Sequence, residues 1–373
     1  MVAVEASADT AGAAAMTRPL PRLRVYPAVA DNPYQGLLYS AFRGVARLDM
    51  TSRPQLMRRF GIVPRAEVLH FHWEDGSFWG VTNDRVIRRR LTRVQRMLAR
   101  HRAQGGRLVW TLHNERPHRE GERHEGFLAL RRHLAAQADM IHVHSEAARH
   151  LLLADWPQID EARVEVIGHP SYVGVYAPAN PAPAPVKAGE GARLLFFGSL
   201  NAYKGVDTLI DCLGRDGLGG VVTRLTVAGS SILARRKVIR EALADVAYPV
   251  DLHMGRVPDN RVADLFRGGA EFCVLPYRHT LTSGVAHLAL TFGLPVIAPA
   301  IGGMRETVPA AAQGLLYDPD APDGLAQAIR RAAALSSDDY AAMSAACLTR
   351  SADTAPALQS QRLAQAMQRR GIL

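Results

Sequence analysis

Cysteine is scarce in this chain. Cys212, Cys273 and Cys347 are the only three in 373 residues. They are far apart and odd in number, which excludes a disulfide framework or a zinc-type spacing and fits a reducing compartment. Long apolar runs are also missing: none approaches the ~18 residues that a membrane-crossing helix needs. The first 20 residues lack a basic start and a compact apolar centre, so a disordered tail is expected there and not a signal peptide. Lysine is nearly absent, with 3 against 42 arginines. What is present is ample apolar content, 48%, over a length that suits two or three domains.

The net charge is +10 and unevenly spread. Residues 1–185 carry 25 arginines, no lysine and 18 acidic residues, together with 11 of the 14 histidines. Much of the excess lies in 84–104, which reads as one long helix. Ile87, Leu91, Val94 and Leu98 form one stripe, and Arg89, Arg93, Arg96 and Arg100 repeat the same spacing on another face. Such a helix suits an anionic membrane surface. Nucleic acid is not expected, because no aromatic residues interleave with the arginines and no binding motif appears.

Short apolar runs at 21–30, 66–73, 107–114, 140–145 and 163–168 read as buried strands. In open α/β sheets, ligands gather at the carboxyl ends of strands. There the sequence places His70, His72, Glu74 and Asp75 after one strand, and His113, Asn114, His118 and Glu120 after another. Carboxylates and imidazoles at such ends are candidate acids, bases or sugar-hydroxyl ligands. Asp75 is the favoured base, with Glu74, His118 and Glu120 as the other candidates. His113, His118 and Glu120 are not expected to hold a metal, because two of the three lie on an irregular loop and no HExxH pattern supports one. His142 and His144 alternate with apolar residues and read as structural.

Residues 177–190 are rich in Pro and Ala and read as a semi-rigid linker. The strand–helix alternation then restarts, so the fold class expected is α/β, with two doubly wound parallel-sheet domains, 21–176 and 191–350, facing a cleft. The C-terminal helix 351–373 is expected to pack back on the first domain. Within 271–308, Phe272–Leu275 and Pro295–Ala298 read as buried strands. Between them Thr282, Ser283 and Gly284 open a helix over Val285–Phe292 that Gly293 stops. A small-residue turn at a helix start leaves free N–H groups where the dipole favours an anion, which suits a diphosphate. Lys204, bracketed by Gly198 and Gly205 after another strand, can add a point charge to it. Asp318-Pro319-Asp320 reads as a turn and helix start, not a metal motif.

Several segments together resemble GT-B glycosyltransferases of the family 4-like group: FFGSLNAYKGVDTLI (196–210), VAGS (227–230), VLPYRHTLTSGVAHLALTFGLPVIAP (274–299), GGMRET (302–307) and GLLYDP (314–319). The resemblance implies a GT-B fold whose second domain holds a nucleotide-sugar donor while the first binds the acceptor. It implies donor contacts from Gly198, Ser199, Lys204, Gly229, Val257, Tyr277, Ser283, Gly284, Val285 and Glu306. Two departures stand out. The paired glutamates of retaining family 4 enzymes are Thr280 and Leu288 here, and the usual Arg after the first loop glycine is Ser199. In the first half, NPYQGLLY (32–39), VLHFHW (68–73) and TLHNERPH (111–118) look similar to the inverting β-mannosyltransferases of xanthan-type exopolysaccharide assembly. That implies GDP-mannose as donor, a polyprenyl-diphosphate-linked oligosaccharide as acceptor, no metal or other cofactor, and a cytoplasmic protein peripheral on the inner membrane face.

Overall fold

The computed structural model describes residues 19–29, 32–50, 67–78, 81, 83–115, 124–177, 187, 189–214, 218–244 and 246–373, with the side chains of Asp75 and His124 excepted. Nearly all of the expected tail, most of the 177–190 linker, His118 and Glu120 lie outside the described residues.

The described chain forms two six-stranded sheets, every pairing of which is parallel. The first contains β1 (Arg22–Tyr26), β2 (Arg47–Met50), β3 (Val68–Phe71), β4 (Arg107–Thr111), β5 (Met140–Val143) and β6 (Val164–Val166) in the order β2-β1-β3-β4-β5-β6. The second contains β7 (Ala192–Phe197), β8 (Val222–Gly229), β9 (Val250–Met254), β10 (Phe272–Val274), β11 (Val296–Pro299) and β12 (Leu316–Tyr317) in the order β12-β11-β10-β7-β8-β9. Helices connect the strands, because parallel neighbours need crossovers. The central strands are apolar throughout because both faces are covered. On β7, Leu194 and Phe196 enter one core while Leu195 enters the core on the opposite face. On β3 and β4, Leu69, Phe71, Leu108 and Trp110 pack to one side and Val68 and Val109 to the other.

The strands that sequence patterning missed are β2, β9 and β12. All three are sheet edges. β2 and β9 are largely uncovered, so their residues (RLDM and VDLHM) show no apolar run; β12 is only two residues long. The basic helix spans Asp84–Ala103, capped by Asn83, whose side chain accepts from the N–H groups of Arg85 and Val86. Ile87, Val94 and Leu98 are buried, and Arg85, Arg88, Arg89, Arg90, Arg93, Arg96 and Arg100 are exposed. Among the described residues no helix is long and apolar enough to cross a membrane.

The last helix, Pro356–Arg369, lies on the first sheet: Leu363, Ala364, Ala366 and Met367 share a core with Leu23, Val25 and Tyr34. Arg370 pairs with Glu165 at 2.7 Å, and Ser360 Oγ accepts from the N–H of Ala41 at 2.9 Å. The chain therefore crosses between the two sheets at its end as well as in its middle. In each sheet the order reverses at one point, between β1 and β3 and between β7 and β10. Crevices open at such reversals, beyond the carboxyl ends of the strands.

Candidate active site

One cavity of about 520 Å³ occupies the space where these two crevices meet. The first sheet contributes Asn32, Pro33, Tyr34, Trp73, His113, Asn114 and Glu115. The second contributes Gly198, Ser199, Tyr203, Lys204, Thr280, Thr282, Gly284, Val285 and Leu288. His169 and Tyr172, beyond β6, complete the wall.

The wall from the second sheet is built by close backbone packing. Gly229 ends β8 against β7, where a Cβ would meet Gly198 O at 1.5 Å. Gly205 has φ +72°, and a Cβ there would meet Pro276 O at 1.8 Å. Only glycine allows both approaches. They bring the loop after β7 against the loop after β10, and Arg278 N donates to Tyr203 O at 3.0 Å between them. Lys204 thereby rests on aromatic faces, with its Nζ 4.0 Å from the ring centre of Tyr277 and 5.0 Å from that of Tyr203. No carboxylate among the described residues pairs with it. Burial pushes its ammonium down to about 8. Lys204 is half-buried, and a partly desolvated cation without a counterion is stabilised by any anion that enters.

The helix Gly284–Thr291 starts on the same wall. Ser283 caps it, accepting from Ala286 N at 3.1 Å, and its hydroxyl donates to the Tyr277 hydroxyl at 3.4 Å. No described residue accepts from the N–H of Gly284 or Val285. These are two of the four orphan donors that every helix start presents, and both residues line the cavity. A side chain at 284 would close the seat, since a Cβ there would lie 2.7 Å from the Tyr172 hydroxyl.

The wall from the first sheet is histidine-rich. His113 is 5% exposed and stacks on Trp73, with ring centres 4.2 Å apart and planes at 15°. Trp73 has φ +36°, a conformation that bulky residues rarely hold and that tends to mark functional sites. Behind His113 lie His70, His72, His142 and His144, all buried and all held below the usual histidine pKa, first of all by desolvation. His169 is pushed down to about 4 for the same reason and stacks on His287 of the opposite lobe at 4.7 Å. These rings are neutral at pH 7.

Six of the expected site residues line the cavity: His113, Gly198, Ser199, Lys204, Gly284 and Val285. Gly229, Tyr277 and Ser283 support that wall from behind, and Val257 packs half-buried into the adjoining core. His118, Glu120 and the side chain of Asp75 fall outside what is described. Two expectations need correction. Glu74 is 2% exposed, and its Oε1 receives Nε and Nη2 of Arg131 at 2.8 and 2.6 Å. Its Oε2 receives the Trp110 indole N–H at 3.4 Å. Both oxygens are occupied, so Glu74 anchors a buried ion pair and is not placed to serve as a base. Glu306 is not at a ribose position either. Its carboxylate accepts from Glu146 N and Ala147 N at 2.7 and 2.8 Å, capping a helix of the first lobe from the second. The residue that sequence reading overlooked is Arg131. It is 1% exposed and also donates to the carbonyls of Asn114 and Glu115, so it fixes the loop that carries His113. An arginine in mid-helix gives no sequence signal for such a role.

Residues 191–334 match the family model "Glycosyl transferases group 1". Among curated proteins, a glycogen synthase of Alkalilimnicola ehrlichii is 30% identical over 39% of this chain, and the match spans 30% of that enzyme's length. A GDP-mannose:glycolipid 4-beta-D-mannosyltransferase of Xanthomonas campestris is 25% identical over 73% of this chain and 71% of its own. Among solved structures, Anabaena Alr3699/HepE in complex with UDP-glucose superposes with a TM-score of 0.69 at 14% identity, covering 94% of this chain and 100% of that one. The second sheet thus lies within the segment that matches this family model, and the fold of the whole chain is GT-B.

Proposed function

We propose that this chain is a glycosyltransferase that takes a hexose from a nucleotide-sugar and delivers it to an acceptor held by the first lobe. The observation that carries this reading is the pairing of Lys204 with the free N–H groups of Gly284 and Val285 on one cavity wall. Negative charge grows on a leaving diphosphate in the transition state, and preorganised donors and cations aimed at that position lower the barrier most. Lysine and helix start supply the charge that other enzymes take from a metal, so the proposed reaction is metal-independent. The UDP-glucose complex of the Anabaena neighbour supports a nucleotide-sugar as donor.

Within that class we favour mannose from GDP-mannose, transferred to a lipid-linked oligosaccharide in exopolysaccharide synthesis. The Xanthomonas relative supports this, because its likeness runs over both lobes whereas the glycogen synthase match covers 39% of the chain. Thr280 and Leu288 line the cavity where retaining family 4 enzymes carry carboxylates, which favours inversion over a retaining UDP-sugar mechanism. Inversion needs a base on the acceptor hydroxyl. Asp75 is proposed for it, on the turn Glu74–Phe78 that follows β3. The exposed arginines of helix Asp84–Ala103 would rest on anionic headgroups at the inner membrane face, each contributing about 1 kcal/mol.

Lys204→Ala is expected to lower turnover of the nucleotide-sugar by on the order of 10²-fold, with the melting temperature unchanged. A transfer assay on the purified variant checks this; unchanged turnover would remove Lys204 from the site.

A further inference from the structure

The buried histidines behind the cavity are linked by hydrogen bonds whose direction can be worked out from one end. Ile167 O is a backbone carbonyl and can only accept, so His142 Nε2, 2.8 Å away, carries a hydrogen. In a neutral ring His142 Nδ1 is then bare and accepts the Thr111 hydroxyl at 3.0 Å. With its hydrogen committed, Thr111 Oγ1 accepts from His70 Nε2 at 2.7 Å. His70 Nδ1 is therefore bare and accepts the Tyr39 hydroxyl at 2.7 Å. The Tyr39 oxygen in turn accepts from His72 Nε2 at 2.7 Å, which leaves His72 Nδ1 to accept from His113 Nε2 at 2.9 Å. Each neutral ring has one donor and one acceptor nitrogen, so the direction cannot reverse along the way.

We infer that this chain of bonds fixes the tautomer of His113, leaving its Nδ1 without a hydrogen as the acceptor for a sugar hydroxyl in the cavity. His113 ends the chain and lines the cavity, and no described residue engages its Nδ1. The derivation requires neutral rings, and burial supplies that condition. His142 is pushed down to about 4, His70, His72 and His113 lie well below the usual value, and the Tyr39 phenol is held well above its own. The titratable groups that act most on His113 are His144, His142, His169 and His70, all neutral. Tyr34 meets it edge-on at 5.1 Å and Trp73 covers a face. Glu115 on its own loop and Lys204 on the opposite wall are the charged groups lining the same cavity among the described residues. His72, Tyr39, His70, Thr111 and His142 act as positioning residues: none needs to touch substrate.

The sugar as partner rests on the proposed glycosyltransferase reading, but the tautomer does not, so the two are tested separately. In full-length protein labelled with ¹⁵N-histidine, long-range ¹H–¹⁵N correlation should show His113 as a single Nε2–H tautomer from pH 6 to 8. Thr111→Val and Tyr39→Phe cut the chain at different links, and each should give a mixture of both His113 tautomers. Thr111→Ser, which keeps the hydroxyl, should restore the single form. The KM for the sugar substrate should rise about twofold in the cut variants, the factor expected when roughly half of the protein holds the competent tautomer, with a smaller change in kcat. Finding Nδ1–H in the native protein, or an unchanged Nε2–H form in both cut variants, would overturn the inference. A single Nε2–H form in a protein that transfers no sugar would leave the relay standing and remove only the reading of the substrate.

Discussion

Acidification from pH 7 to about 5.5 should unfold the protein cooperatively. Of the eight histidines buried among the described residues, seven line or back the cavity: His70, His72, His113, His142, His144, His169 and His287. Desolvation lowers the pKa of each, to about 4 for His142 and His169 and well below the usual value for the other five. In the unfolded chain they return to about 6.5. Between the folded and unfolded values the unfolded state binds more protons, so stability falls as pH falls. The contribution is complete above pH ~6.5 and drains away below it. Each ring accounts for about 1.4 kcal/mol per pH unit. Acting together, they approach roughly 10 kcal/mol over the first unit, as much as the whole stability of a typical domain. Thermal melts at pH 8, 7, 6 and 5.5 test this. A melting temperature that stays level down to pH 5.5 would show that these rings are solvated or charged in the folded protein.

Glu74→Ala should destabilise the protein by about 3–5 kcal/mol, the usual cost of stripping one partner from a buried ion pair. Arg131 would keep its charge at 1% exposure with only the carbonyls of Asn114 and Glu115 to receive it. The melting temperature should drop by on the order of 10 °C. Glu74→Gln should fall in between, because the amide oxygen can still accept from the guanidinium. The same variants distinguish a structural carboxylate from a base. A base replaced by its amide would lose turnover by orders of magnitude with its melting temperature intact, and chemical denaturation of Glu74→Gln alongside a turnover assay separates the two.

Glu74 also shows where sequence reading stops. Its type and its place after a strand were legible, but its role depended on Arg131, 57 residues away. Glu306 is similar: what its carboxylate does is decided by two N–H groups of the other lobe, about 160 residues distant. The central strands were legible because burial on both faces leaves an apolar run, and the edge strands β2 and β9 were not because water replaces one neighbour. Gly205, Ser283 and Gly284 were legible as a tight turn and a helix start, because close backbone approach and capping allow few alternatives. The histidines could be seen to alternate along their strands. Their bonding needs strand order and register as well: Thr111 faces His142 only because β4 and β5 are neighbours in that register.

The central claim is that an anion sits between Lys204 and the amide groups of Gly284 and Val285. Isothermal titration of the full chain with GDP-mannose, UDP-glucose and ADP-glucose tests it most directly. At least one should bind, with GDP-mannose the tightest, and its Kd should rise on the order of 10²-fold in Lys204→Ala, the loss of a desolvated charge contact. Binding of none of the three, or equally tight binding by the variant, would contradict it.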